Sequence, residues 1–125
     1  MSGRRIAVVD DDPAMVDILY DILELHGWEP IRAHDGIEAV EVVGQHPVDV
    51  VLMDIRMPRM NGVQALEAIR KAAPWTKVVL FTASASQDLL NRALECGVSR
   101  ILRKPVEAEA LLAVLDELTH GRADR

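Results

Sequence analysis

RIAVVDDDPAMV, residues 5–16, changes character twice over a short span. Ile6 to Val9 form an apolar run without the alternation of a half-solvated strand, which predicts a strand covered on both faces, the habit of parallel sheets. Asp12 then stands where a helix N-cap belongs, and Pro13 suits the first helical position because its missing N–H has no partner to lose there. A doubly buried strand that turns directly into a capped helix is the opening half of a βαβ unit.

The rest of the chain repeats the pattern. Apolar, valine-rich runs recur at 48–53 (VDVVLM), 77–82 (KVVLFT) and 98–103 (VSRILR). A weaker strand is expected at 28–33 (WEPIRA), at a sheet edge because Pro30 cannot donate to a ladder. Helices are predicted over 13–26, 36–45, 62–73, 86–96 and 106–119, with Asp35 and Ser86 as N-caps and Gly27 and Gly97 as stops. Strict alternation with short connections implies right-handed crossovers and an α/β fold, a (βα)5 doubly wound parallel five-stranded sheet. One domain is expected over 1–125, with a core at 5–119 and a short tail at 120–125.

Bulk properties narrow the function. The chain has 125 residues, half of them hydrophobic, enough for one core. A net charge of -6 argues against nucleic-acid binding, since phosphates would be repelled. The single cysteine, Cys96, cannot form an internal disulfide and reads as a buried small hydrophobe. MSGRR enters a strand pattern at once, leaving no room for a signal peptide, and no apolar run reaches the ~20 residues of a membrane helix. A cytoplasmic protein without membrane contact is expected. His26, His34, His46 and His120 have no metal-ligand spacing and are expected at the surface, while Trp28 and Trp75 are expected to cover the core.

In a doubly wound sheet, ligands bind beyond the carboxyl ends of the strands. Those ends here carry Asp10, Asp11 and Asp12, then Asp54, then Thr82 and Ser84, then Lys104. Each has an ordinary explanation alone: Asp12 as a cap, Thr82 as a strand residue, Lys104 as a solvated cation. Their coincidence at one edge does not. Two carboxylates ~5 Å apart repel by roughly 3 kcal/mol at an effective dielectric near 20. One lysine cannot neutralise three of them, whereas a hard divalent ion with oxygen ligands, Mg²⁺, can. An anion could then join metal, ammonium and hydroxyl, and a phosphoryl group accepted by Asp54 meets that requirement.

VVDDD at 8–12, VVLMDIRMPRMNG at 50–62, FTAS at 81–84 and LRKP at 102–105, in this order and spacing, resemble the receiver domain of two-component response regulators. The resemblance spans 5–119 and implies a flavodoxin-like sheet of strand order 2-1-3-4-5. It implies that Asp54 accepts a phosphoryl group from a sensor histidine kinase or phosphotransfer protein. It further implies Mg²⁺ held by Asp10, Asp11, Asp54 and the backbone carbonyl of Arg56, with Lys104 and Thr82 on the phosphoryl group. A cis Lys104–Pro105 peptide and a geometric role for Pro58 and Gly62 also follow. Such a domain signals to a downstream protein target and is no enzyme beyond promoting its own phosphorylation and dephosphorylation. Its output or dimerisation face is built from helix 4, strand 5 and helix 5. Asp88, Asn91, Arg92, Arg100 and Arg103 would lie there, a solvated charged face being the plain alternative. A monomer, or a weak phosphorylation-dependent dimer, is expected.

Two departures stand out. The switch position holds Ile101 where receivers commonly carry Tyr or Phe, and Val106 replaces a frequent phenylalanine. The resemblance also implies that Arg56 and Ser84 occupy positions that tune phosphoryl lifetime. The first helix carries apolar residues over an arc of about 220°, well beyond the ~100° of a core-facing stripe. Either it buries two faces, or Met15 and Ile18 stay exposed and dock a kinase helix together with Pro105 and Val106.

Two other readings remain open. A degenerate receiver acting as an unmodified protein-binding module would be expected to have lost Asp54, Lys104 or an acidic partner, and none is missing. An aspartate-nucleophile phosphatase would carry a DxDxT-type motif after the first strand, where Ala14 stands in place of the threonine.

Overall fold

The computed structural model describes residues 4–120. Five strands, β1 (Arg4–Val9), β2 (Trp28–Ala33), β3 (Val50–Asp54), β4 (Lys77–Thr82) and β5 (Arg100–Arg103), alternate with five helices. These are α1 (Pro13–Leu25), α2 (Gly36–Gln45), α3 (Gly62–Ala72), α4 (Gln87–Glu95) and α5 (Ala108–His120). All strand pairs are parallel, in the order β2-β1-β3-β4-β5. The flavodoxin-like (βα)5 expectation holds, including Pro30 on the edge strand β2. Beyond His120, the expected tail lies outside the described residues. Among the described residues, no helix is long and apolar enough to cross a membrane.

Successive side chains of a strand point to opposite faces, and the two cores separate accordingly. Ala7, Val9, Val51, Met53, Val78 and Leu80 meet α2, α3 and α4 through Ala39, Val43, Leu66, Ile69 and Ala93. Their neighbours Ile6, Val8, Val50, Leu52, Val79 and Phe81 meet α1 and α5 through Val16, Leu19, Leu23, Leu111 and Leu115. Burial of each such Val, Leu, Ile, Met or Phe side chain contributes roughly 1.5–3 kcal/mol, which fixes strand register. A slip by one residue would exchange the two faces.

Local signals set the boundaries. Asp12, Asp35 and Ser86 accept from the backbone N–H groups of Ala14, Glu38 and Leu89, as their N-cap assignment requires. Asn61 and Gln64 form a capping box on α3. Several boundaries shift by one or two residues from the sequence expectation, β3 among them as Val50–Asp54 in place of 48–53, and two of the shifts have a visible cause. β5 begins at Arg100, not at 98, because Val98 N–H bonds Ala93 O (3.1 Å) and Gly97 N–H bonds Leu94 O (3.2 Å). That double closure of α4 over Gly97 (φ 83°) engages Val98 before any ladder can use it. Helix α5 begins at Ala108 because its first turn closes on Glu107 O from Leu111 N–H (3.0 Å), leaving Val106 in the approach. Trp28 is buried as expected, but Trp75 is 67 % exposed in the α3–β4 connection and covers no core. Cys96 is half-buried, and burial together with the Glu67 carboxylate beside it pushes its thiol up.

Candidate functional site

The carboxyl ends of β1, β3 and β4 and the residue following β5 form one acidic edge. β1 and β3 are adjacent, with Val9 opposite Met53, so Asp10 and Asp54 emerge side by side. Asp10, Asp11 and Asp54 each offer a carboxylate oxygen, and these atoms lie within 4.8 Å of one another. Asp10 and Asp54 are buried, while Asp11 faces solvent.

Lys104 reaches the same point from the far side of the sheet. Its Nζ lies 3.2 Å from Asp10 Oδ2 and 3.3 Å from Asp54 Oδ2. Its backbone N–H donates to Thr82 O (2.9 Å), tying the β5 exit to β4, and the Lys104–Pro105 peptide is cis. Nζ also sits 4.8 Å from the centre of the Phe81 ring, a cation–π distance. Phe81 is buried and was not singled out from the sequence. It reads there as a strand hydrophobe, and only the β4–β5 pairing places it beneath the lysine.

The charges are unevenly balanced. Burial raises the Asp10 carboxyl above its ordinary range and the Asp54 charge adds to the rise, although the Asp12 N–H at 3.0 Å and Lys104 oppose it. Burial alone would lower Lys104, but the Asp10 and Asp54 carboxylates outweigh it, so its ammonium is held above its ordinary value. Burial thus disfavours the charged form of Asp10 beside a lysine that is held charged. A hard divalent cation would favour the charged form, and two or three carboxylates in reach suit Mg²⁺.

The surrounding residues are distributed as follows. Arg56 is exposed and donates its N–H to Asp54 Oδ1 (3.2 Å). Thr82 ends β4, but its hydroxyl is engaged locally, donating to Ser84 O (2.8 Å) and accepting from Ser84 N–H (3.1 Å). Ile101 is half-buried against the α2–α3–α4 core, as are Ala85, Leu89 and Leu90. Ile18 is 55 % exposed on α1, whereas Met15, exposed in one of the two readings of this helix, is half-buried against the α1–α5 core, as is Val106. Pro105 is exposed. On the face of α4, β5 and α5, Arg92 pairs with Glu67 (2.8 Å) and Arg100 with Glu117 (2.7 Å), and both are exposed along with Asp88, Asn91 and Arg103.

The β3–α3 loop is tightly folded. Gly62 N–H bonds Ile55 O at 2.7 Å. A Cβ at Gly62 would meet Asp54 O at 2.6 Å and Ile55 Cα at 2.9 Å, so only glycine fits this approach. The geometric role expected of Gly62 has this physical basis.

The chain is similar to known proteins. The family described as the response regulator receiver domain matches residues 6–116. The chemotaxis protein CheY of Bacillus subtilis is 32 % identical over 116 residues, covering 92 % of this chain and 97 % of that protein. The transcriptional regulatory protein ZraR of Klebsiella oxytoca is 38 % identical over 125 residues, covering 98 % of this chain and 28 % of that protein. The chain therefore spans nearly all of the chemotaxis protein and little more than a quarter of the transcriptional regulator. In three dimensions it resembles the CheY-like receiver domain protein of Methanospirillum hungatei JF-1. The TM-score is 0.92 at 30 % identity, covering 99 % of this chain and 100 % of that one.

Proposed function

The chain belongs to the response regulator receiver domain family of two-component signalling, and from that premise we propose that Asp54 accepts a phosphoryl group at a site completed by Mg²⁺. The observation that carries this reading is the convergence of Asp10, Asp11 and Asp54 within 4.8 Å, with Lys104 Nζ 3.2–3.3 Å from the two buried carboxylates. Asp10, Asp11, Asp54 and the Arg56 carbonyl would hold the ion. When bound, Mg²⁺ supplies positive charge to the equatorial phosphoryl oxygens and so lowers the cost of bringing an anion to an anionic edge.

The residues divide the work. An oxygen of Asp54 attacks phosphorus in line as the P–N bond to the donor imidazole breaks, giving an acyl phosphate and a neutral imidazole after proton uptake from solvent. Lys104, fully protonated, shifts from the carboxylate pair to a phosphoryl oxygen, and Phe81 keeps its ammonium at that level. Thr82 must exchange Ser84 O for a phosphoryl oxygen, and that exchange pulls on the β4–α4 loop. This supplies a route from chemistry to the α4–β5–α5 face, where a downstream target would read the change. Ile101, half-buried against the α2–α3–α4 core, would repack without the swing of an aromatic ring. The phosphoryl donor is a sensor histidine kinase or phosphotransfer protein, docking on α1 around Ile18 and on the Pro105–Val106 turn.

Incubation with Mg²⁺ and acetyl phosphate, followed by intact mass, tests the reading. One added phosphoryl group that is absent in Asp54→Ala and in EDTA is expected. No adduct would point to an unmodified binding module, and turnover of phosphomonoesters to a phosphatase.

A further inference from the structure

We propose that Asp35 and Arg59 form a positioning pair that holds the β3–α3 loop, and with it the Arg56 carbonyl, in place for the metal. This inference rests on the Mg²⁺ reading above and adds two residues outside that site, on the α2 side of the sheet. Among the described residues, Arg59 is the one non-glycine residue at positive φ (69°). Non-glycine residues occupy this region seldom, and only when their surroundings hold them there.

Here the surroundings are specific. Arg59 Nη2 pairs with Asp35 Oδ2, and the Asp35 side chain is only 13 % exposed. Asp35 Oδ1 is separately engaged, accepting Glu38 N–H at 2.8 Å as the cap of α2. One carboxylate thus serves two elements, the first turn of α2 and the tip of the β3–α3 loop. The same junction is closed by backbone: a Cβ on Gly36 would meet Met60 O at 2.8 Å and Met60 Cγ at 2.9 Å. Met60 N–H folds back to Pro58 O at 2.7 Å, and Gly62 N–H to Ile55 O at 2.7 Å. The loop is tightly bonded to itself, its inner end is tied to β4 by Ile55 N–H on Phe81 O (3.1 Å), and its tip meets the α2 N-terminus. Release of Arg59 would leave the tip held to α2 by the Gly36–Met60 approach alone, and the Arg56 carbonyl would then have to be ordered further at the moment of metal binding.

Two substitutions separate pairing from its side effects. Asp35→Ser keeps an N-capping hydroxyl for α2 while removing the partner of Arg59. Arg59→Gly removes the guanidinium while keeping a residue at ease with positive φ. In metal-free full-length chain, amide exchange at Met60 and Gly62 is expected to quicken in both variants. Mg²⁺ titration by calorimetry is expected to show binding about two- to fivefold weaker in each, the scale of a partly exposed ion pair. The double variant should be no weaker than the singles, because the two side chains act as one unit.

Wild-type exchange and wild-type Mg²⁺ affinity in both variants would overturn the proposal, as would a double variant weakened by the product of the single effects. Faster exchange with undiminished Mg²⁺ affinity would also overturn it, while leaving the metal site intact. Failure of the wild-type chain to bind Mg²⁺ would instead remove the metal reading, and the role of this pair with it.

Discussion

Replacing Asp10 by Asn is expected to stabilise the metal-free protein and to weaken it relative to wild type once Mg²⁺ is present. The nearest oxygens of Asp10 and Asp54 lie within 4.8 Å, a repulsion of about 3.5 kcal/mol at an effective dielectric near 20. Lys104 Nζ at 3.2 Å from Asp10 attracts by about 5 kcal/mol on the same scale. Asp11 adds repulsion, screened by solvent, so the Coulomb contributions nearly cancel and desolvation of a carboxylate that is 1 % exposed decides the sign. The direction agrees with the carboxyl's upward shift, caused first by burial and then by Asp54. Relief of such a charge should raise stability by roughly 0.5–2 kcal/mol, or about 2–8 °C in Tm for a domain of this size.

The pH dependence follows from the same shift. Asp10's folded pKa lies above its ordinary value of 3.8. Its stabilising contribution is therefore fully present below 3.8 and is lost as pH rises through the raised value. The Asn variant should gain its advantage across that interval and keep it at neutral pH. Saturation with Mg²⁺ at ~100 Kd stabilises a binding-competent fold by about 2.7 kcal/mol, and the Asn variant, short of a ligand, should collect less. Urea or thermal unfolding in EDTA and in Mg²⁺ should thus rank the two proteins in opposite orders. An Asn variant less stable than wild type in EDTA would refute the reasoning, as would equal stabilisation of both by Mg²⁺.

Other expectations follow from the same geometry. Gly62→Ala forces a Cβ to 2.6 Å from Asp54 O and should cost roughly 1–3 kcal/mol, visible as a lower urea midpoint and a slower gain of phosphoryl mass. Ile18→Glu places charge at an exposed apolar point on α1; it should slow transfer from a phosphohistidine donor while leaving acetyl phosphate unaffected, and equal loss with both would exclude docking there. Arg56→Asn removes an exposed guanidinium two residues beyond the acceptor and should change the autodephosphorylation rate, followed as loss of the phosphoryl mass.

Much of this molecule could be read from the one-dimensional pattern. The apolar runs at 5–10, 48–53 and 77–82 mark doubly covered strands because a two-residue period is absent where both faces are dry. Asp12, Asp35 and Ser86 mark helix starts because a cap acts on its own next turn. The ordered polar strand ends offered Asp10, Asp11, Asp54, Thr82 and Lys104 as candidates, because parallel connections deliver every strand's carboxyl end to one edge. Local chemistry and short spacing suffice for all of these.

What required the third dimension depends on pairs far apart in the chain. The Lys104–Asp10 contact joins residues 94 positions apart, and its lengths and burial come only from sheet pairing. Phe81 beneath the ammonium, Met15 drawn half into the core, Trp75 left in solvent and the Asp35–Arg59 contact carry no sequence signal. An apolar residue advertises the tendency to be covered, not which neighbour covers it. A charged one advertises its need for a partner and not the partner's position. Which face of the sheet each helix takes, and how closely three like charges must coexist, is settled by packing both cores at once.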